Sequence, residues 1–258
     1  MSLAGVWENE YGSRMRLGGS GSGVHGDYAS TTGSTGRYLV LGHQGGGPAT
    51  PEGGVPVALA ISWHSLAPGL EDASWHWVSA LSGQIRRDED GAERLVLNHL
   101  LVASCDFPGL SPAGTFLDKL TYRRVGAPAA LPPPAIGPAL DHPLAGPWQG
   151  GGIGLMLRLA SGAEGRLGLI SGQVTCEGRA LDLTGFVDLR GPQPGMEGTA
   201  LSLTTGDSQT GRTLALAGLW HRDSQRLEIQ AMTARRTPAA DSYMQTALRG
   251  LMLAPVAG

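Results

Sequence analysis

Hydrophobic and polar positions alternate from the start of the chain. Over residues 3–13 the alternation has a period of two, which is typical of a β-strand with two different faces. One face carries an aromatic ring, an amide, a phenol and a hydroxyl, on Trp7, Asn9, Tyr11 and Ser13. Because buried polar groups cost free energy unless they are hydrogen-bonded, solvent or a ligand must satisfy this face. The pattern therefore predicts a strand over residues 3–13 that borders a polar site.

Short apolar runs bounded by Gly, Ser, Asp and Pro continue through the first half of the chain. They lie at 37–41, 55–63, 75–85, 94–103 and 116–125. Their length and spacing are typical of consecutive antiparallel strands. No long stretch keeps the 3.6-residue apolar period of an amphipathic helix. We expect an all-β chain in which about eight strands close into an antiparallel up-and-down barrel, an arrangement that leaves no exposed sheet edge.

The sequence repeats itself after a stretch rich in Pro and Ala. This stretch, 126–143, has the composition of a semi-rigid linker in polyproline II conformation. Beyond it, the five-residue run that begins at Leu3 returns at Leu144, and further motifs follow in the same order. The chain is predicted to hold two tandem eight-stranded barrels, at 1–125 and 144–258.

Composition and charge narrow the classes of function. A net charge of −3 argues against nucleic-acid binding, and no run of about 18 apolar residues is present to span a membrane. Cys105 and Cys176 match no metal-ligand spacing; two free thiols are the simpler expectation, and a disulfide stays open. No basic and apolar leader precedes the first strand. The compartment is left unknown, cytoplasmic as the chain is written and secreted if a leader was removed.

Six motifs of the first copy lie in one order and spacing. They are Gly-Val-Trp-Glu-Asn-Glu-Tyr-Gly-Ser at 5–13, Gly-Asp-Tyr-Ala-Ser-Thr-Thr-Gly at 26–33, Ile-Ser-Trp at 61–63, Leu-Ser-Gly-Gln at 81–84, the strand at 94–101, and Leu-Thr-Tyr-Arg-Arg-Val at 120–125. In these motifs the first copy resembles the avidin and streptavidin family along nearly its whole length. The resemblance implies a barrel that holds biotin, whose head is a cyclic urea, in its open end.

The resemblance also implies roles for individual residues. Asn9, Ser13 and Tyr28 match the three donors to the ureido carbonyl. Ser30 matches the acceptor from one ureido N–H, and Trp63 matches an apolar wall beside the thioether ring. The expected ligand-binding residues, which include the loop over the ligand tail and the alternate face of later strands, are Asn9, Tyr11, Ser13, Tyr28, Ser30, Thr32, Trp63, Trp77, Ser79, Leu81, His99 and Leu101.

Several positions depart from the family pattern. Leu120 stands where the family has an Asp that accepts from the second ureido N–H, and Asp118 lies two residues away on the same strand face. His99 replaces a Trp, and Leu81 occupies an aromatic wall position. New aromatic residues are expected on the same face as Ser79, at Trp75 and Trp77. Such losses of contacts are expected to weaken biotin binding or to redirect the pocket to another ligand with a urea, amide or carboxylate head.

The second copy keeps the strand pattern without the polar face. Gly150, Gly152 and Gly154 answer to Asn9, Tyr11 and Ser13, and Thr205 stands in place of Trp63. The second barrel is therefore expected to be a structural partner, which makes the chain an intrachain pseudo-dimer that is able to form a homodimer.

Two classes of function stay open at this point. The first is a non-catalytic protein that binds biotin or a biotin-like ligand in the N-terminal barrel, without cofactor or metal. The second is a small-molecule cyclase or isomerase in a repurposed cavity, with His99 as the acid or base.

Overall fold

The computed structural model describes residues 2–19, 21–46, 53–67, 69–127, 130–162, 165, 167–237 and 246–256. In the first half, eight strands form a closed barrel in which each strand pairs antiparallel with the next and β8 pairs with β1. These strands are β1 (Gly5–Asn9), β2 (Arg14–Gly18), β3 (Gly23–Ser30), β4 (Gly36–Gln44), β5 (Val55–Ser62), β6 (Trp77–Arg87), β7 (Glu93–Ala103) and β8 (Gly114–Gly126).

The second half forms another closed barrel of eight strands. Its first strand pairs with both the second and the last, which closes the sheet. The strands are β10 (Gly146–Gly150), β11 (Ile153–Gly162), β12 (Leu167–Cys176), β13 (Arg179–Asp188), β14 (Thr199–Asp207), β15 (Arg212–His221), β16 (Arg226–Ala234) and β17 (Thr246–Pro255). The prediction of an all-β chain with two tandem antiparallel barrels is confirmed.

Alternation along each strand separates a core inside each barrel from an outer face. In the first barrel the inward side chains include Trp7, Leu59 and Leu97, all fully buried. Trp7 donates its indole N–H to the carbonyl of Leu3 at 2.8 Å, and Trp148 repeats this bond to Leu144 at 3.0 Å. The repeated motif thus builds the same buried indole at the start of both barrels.

Two of the predicted strand boundaries are wrong. The first strand ends at Asn9 because the Asn9 amide oxygen accepts from the backbone N–H of Tyr11 at 3.1 Å and of Ser13 at 2.9 Å. Gly12, with a φ of 83°, allows the chain to reverse direction there. Asn and Gly are common in turns for these reasons. Trp75 does not belong to β6, since it lies in a short 3-10 helix, Ala73–His76, that Asp72 caps.

The outer faces of the two barrels pack on each other. Small side chains of β5 and β6 meet those of β14 and β15, so the two sheets approach closely. Ala58 and Ala200, which are corresponding residues of the two copies, both lie fully buried in this contact. A second apolar cluster includes Ala60 from the first barrel and Phe186 from the second. Packing of this kind joins the barrels through a continuous apolar layer.

Polar contacts border that apolar layer. The Thr204 hydroxyl donates to the carbonyl of Ala58 at 3.0 Å. On one edge His76 Nδ1 lies 2.7 Å from Asp188 Oδ2, and Glu71 pairs with Arg190. The predicted pseudo-dimer therefore has bonded edges as well as an apolar centre.

The Pro-rich segment between the barrels contains one strand that the composition does not predict. The strand β9 (Ile136–Ala139) pairs with the end of β11. Before it, the carbonyl of Leu131 bonds with His25 Nε2 at 2.8 Å, so the segment is fixed to both barrels. Among the described residues, no helix has the length and apolar character needed to cross a membrane.

Candidate functional site

A wall of aromatic side chains lines the first barrel toward the end where β5 and β7 finish. The Trp63 ring is the centre of the wall, 4.8 Å from the ring of Tyr38 and 5.9 Å from that of Tyr28, in edge-to-face arrangements. The His99 ring lies 6.4 Å from it on the other side. Edge-to-face contacts of this kind fix ring orientation and add to the energy of burial. The three neighbouring rings therefore hold the Trp63 ring in one orientation.

A hydrogen-bonded chain holds the indole in place. Trp63 donates its indole N–H to Ser79 Oγ at 2.8 Å, and the same Oγ lies 2.8 Å from His99 Nε2. The Ser79 hydroxyl accepts from Trp63 and either donates to His99 Nε2 or accepts from it, depending on the histidine tautomer. Burial lowers the pKa of His99 to about 4, and the Asp118 carboxylate only partly opposes this shift. His99 is accordingly neutral at pH 7.

The residues of the β1–β2 turn are engaged with each other and with the 31–32 loop. Ser13, fully buried, accepts from the Thr31 backbone N–H at 3.0 Å and contacts the Thr31 hydroxyl at 3.0 Å. Since the Asn9 oxygen already accepts two backbone N–H groups, its NH2 group points the other way. Ser30 donates to the carbonyl of Thr32 at 2.7 Å.

One inward hydroxyl has no hydrogen bond. Tyr122 on β8 is fully buried beside Asn9, its partner in the strand register. Its hydroxyl forms no hydrogen bond of ordinary geometry with a described residue, although Tyr28 and Asn9 lie close enough to interact with it. Burial raises the pKa of Tyr122 well above its usual range, with the Tyr28 phenol adding to the rise and Asn9 opposing it. Three polar groups, the amide of Asn9 and the two phenols, thus neighbour each other without forming a closed set of bonds.

The remaining predicted residues divide between the interior and the rim. Leu81 is buried in the interior core, and Leu101 lies opposite Ser79 on β7, half-buried. Trp77 is buried at the rim, where its indole donates to the carbonyl of Cys105 at 3.0 Å. Thr32 is exposed, and Tyr11 is 56% exposed on the turn rather than on an inward strand face. The structure therefore does not bring Tyr11 or the Thr32 side chain to the others.

The last strand has the register that the sequence suggests. Leu120 points inward and is buried in the core, next to Leu97 on β7. Asp118 lies opposite His99 in the pairing of β7 with β8, exposed at the barrel end. The barrel interior at Leu120 consequently presents an apolar side chain at the point where the sequence resemblance implies a carboxylate.

Two inward residues were missed by the sequence reasoning. Tyr38 is buried against Trp63, and burial raises its pKa. Its hydroxyl contacts Ser34 Oγ at 2.7 Å, and Ser34 donates on to Ser74 at 2.9 Å. The alternation on β4, in which positions 38 and 40 are both apolar, was the available signal for Tyr38. Tyr122 lies two residues after Leu120 and on the same face of β8, so the alternation along this strand was the available signal for it.

Cysteine and metal chemistry play no visible part in this site. Cys105 and Cys176 are free thiols, and burial raises the pKa of both. Within the described part of the chain, no three His, Cys, Asp or Glu side chains are grouped closely enough to hold a metal ion.

Comparisons with known proteins return structural neighbours only. No protein-family model and no curated protein matches the chain. Among solved structures, a biotin-binding protein from chicken is similar at 20% identity and a TM-score of 0.38, over 48% of this chain and 96% of that chain. Xenavidin is similar at 21% identity and a TM-score of 0.37, over 48% of this chain and 97% of that chain.

Proposed function

We propose that the N-terminal barrel binds a small molecule with a cyclic urea head, biotin or a close analogue, and that the protein is a non-catalytic binding protein. The observation that carries the proposal is the Tyr122 hydroxyl, which is buried in the barrel interior and forms no hydrogen bond of ordinary geometry with any described residue. A buried hydroxyl without a partner costs about 1–3 kcal/mol. A ligand carbonyl placed between Tyr122, Tyr28 and Asn9 removes that cost by accepting from them.

The donor set in this proposal differs from the set that the sequence resemblance implies. Ser13 is already bonded to Thr31, so Tyr122 takes the place of Ser13 as a donor. Ser30 is able to exchange its bond to the Thr32 carbonyl for one from a ureido N–H. The ring system of the ligand then lies on Trp63, which its neighbours hold in a fixed orientation.

The second ureido N–H meets an apolar side chain. Leu120 offers no acceptor at that point of the barrel. An unsatisfied N–H costs about 1–3 kcal/mol, which corresponds to roughly a tenfold to a hundredfold loss of affinity. We therefore expect saturable binding that is weaker than in relatives with an Asp at this position.

The alternative of an enzyme receives less support from the geometry. Its candidate acid or base is His99, which is hydrogen-bonded to Ser79 and whose pKa of about 4 makes it a neutral imidazole at pH 7. A general acid or base works best with a pKa near the operating pH. His99 instead serves to orient Ser79 and, through it, the Trp63 ring.

Titration of the purified chain with biotin, followed by tryptophan fluorescence, tests the proposal. Tyr28→Phe and Ser30→Ala each remove one hydroxyl from the pocket and are expected to weaken binding by about tenfold. Tyr11→Phe is the matched control, because that phenol is exposed outside the barrel interior. Unchanged affinity in Tyr28→Phe, or equal losses in Tyr28→Phe and Tyr11→Phe, would contradict the proposed site.

A further inference from the structure

The open end of the second barrel encloses a cavity of its own. Its volume is about 250 Å³, and its floor consists of apolar residues of the barrel interior. Leu181, Leu214 and Leu251 contribute from three different strands, β13, β15 and β17. Glycine at position 152 leaves the β10–β11 turn without a side chain over this space. The residue changes that removed the polar face of this copy therefore left room at its open end.

Charged side chains surround the mouth of this cavity. Arg179 Nη1 lies 2.5 Å from Asp207 Oδ2, and Arg212 Nη1 lies 3.1 Å from Glu177 Oε2. Arg249 on β17 also lines the cavity and forms no ion pair with any described residue. Three guanidinium groups against two carboxylates leave one positive charge at the mouth.

Local structure holds the two ion pairs in position. Glu177 and Gly178, with φ values of 49° and 73°, form the two-residue turn between β12 and β13. This conformation is the one that suits a tight hairpin. Asp207 caps the next turn by accepting from the backbone N–H groups of Gln209 and Thr210. Burial works to raise the pKa of Asp207, but the hydroxyl and N–H of Thr210 hold it below its usual value, so this carboxylate stays charged.

We propose that the second barrel binds a small monocarboxylate with a short aliphatic chain. The carboxylate pairs with Arg249, whose charge no described side chain neutralises, and the chain packs on the apolar floor. A single negative charge completes the balance at the mouth, and a planar guanidinium is suited to a carboxylate because it can donate two parallel hydrogen bonds. The volume, below that of most drug-sized pockets, limits the ligand to a small molecule.

The corresponding place in the first barrel has the opposite charge. Leu120 and Leu251 occupy equivalent positions, opposite Leu97 and Ile229 on the preceding strands. Two residues before them stand Asp118 and Arg249. The two copies thus present an anionic and a cationic group at the same point of the fold, which favours different ligands in the two barrels.

Hexanoate is the probe for this site, measured by ligand-observed NMR titration of the full chain. Hexanoate is expected to bind saturably at one site per chain. Arg249→Met keeps an aliphatic stem without the charge and should weaken hexanoate binding at least tenfold. Arg226→Met is the matched control, because Arg226 is an exposed arginine at the far end of the same barrel.

Two further probes separate the contribution of the ligand's aliphatic chain from that of its charge. Acetate carries the charge without the chain, and hexylamine carries the chain with the opposite charge; both should bind at least tenfold more weakly than hexanoate. The proposal is overturned if acetate equals hexanoate, if hexylamine competes with it, if Arg249→Met leaves its affinity unchanged, or if hexanoate does not bind. Biotin binding in the first barrel is independent of each of these results, so failure here leaves the proposed function standing.

Discussion

At the scale of single residues, the polar groups inside the first barrel differ in how their hydrogen bonds are satisfied. The buried Tyr122 hydroxyl forms no hydrogen bond of ordinary geometry with a described residue, whereas the hydroxyls of Ser13 and Ser79 are hydrogen-bonded. An unsatisfied buried group costs free energy, and under the proposed function a ligand carbonyl that accepts from Tyr122 removes this cost. The difference indicates which groups are available to a ligand.

Tyr122→Phe separates a ligand contact from a structural one. We expect the free energy of unfolding to stay constant or to rise by about 1 kcal/mol, since the removed hydroxyl has no partner to lose. Biotin affinity should fall about tenfold in the same variant. Urea denaturation and fluorescence titration measure the two effects. Marked destabilisation with unchanged affinity would show that the hydroxyl has a structural partner instead.

His99 makes stability depend on pH. Its folded pKa of about 4 lies below the ordinary 6.5, so between these values the unfolded chain binds a proton that the folded chain does not. Stability therefore falls as the pH drops from 6.5 toward 4, and is unaffected by this group above pH 7. When the pH is lowered from 7 to 5, we expect the free energy of unfolding of His99→Gln to fall by about 2 kcal/mol less than that of the unmodified protein.

The measurement for His99 is urea denaturation at both pH values. His43, also buried with a pKa lowered to about 4, is present in both proteins, and its contribution cancels in the comparison. Equal losses of stability in the two proteins would mean that His99 is not the group that titrates.

At the scale of elements, the apolar alternation along each strand determines the barrel fold, and small outward side chains determine how closely the two barrels pack. The period of two along β5 and β14 gives inward leucines and outward alanines, and the outward alanines form the contact between barrels. Overpacking such a contact displaces neighbouring side chains and backbone. The close approach of the two sheets is consequently sensitive to side-chain size.

Ala200→Leu tests that sensitivity. Ala200 is fully buried between the barrels, and we expect its replacement to lower the free energy of unfolding by about 1–3 kcal/mol. Ala180→Leu, at an exposed position on β13, should stay within about 0.5 kcal/mol of the unmodified chain. Thermal denaturation of both variants provides the comparison, and equal stabilities would mean that the sheets do not pack closely at Ala200.

The sequence predicts the strands that follow from apolar alternation alone. It does not predict the places where a side-chain hydrogen bond ends a strand or turns the chain. The five later strands of the first barrel and the duplication follow from the pattern of apolar residues. The end of β1 does not, because the Asn9 side chain bonds to the backbone and turns the chain at Gly12. Likewise, the aromatic wall required knowledge of Tyr38, which only the closed barrel brings to Trp63.

At the scale of the whole molecule, one chain joins two barrels that share a fold and differ in their open ends. The first presents aromatic rings, an unpaired phenol and a neutral histidine. The second presents an arginine-rimmed cavity with glycine at the positions of Asn9 and Ser13. Because the barrels bury each other's outer faces, the second supports the first whatever it binds. Under the two proposals, the duplication supplies one site in each of two barrels that pack on each other.

The central claim, a single site for biotin in the first barrel, is tested most directly by isothermal titration of the full chain with biotin. The proposed function predicts saturable heat at one biotin per chain, and loss of that heat at the same concentrations in a Tyr28→Phe and Tyr122→Phe double variant. Two equivalents per chain, or no heat at protein concentrations that would reveal micromolar binding, would contradict it.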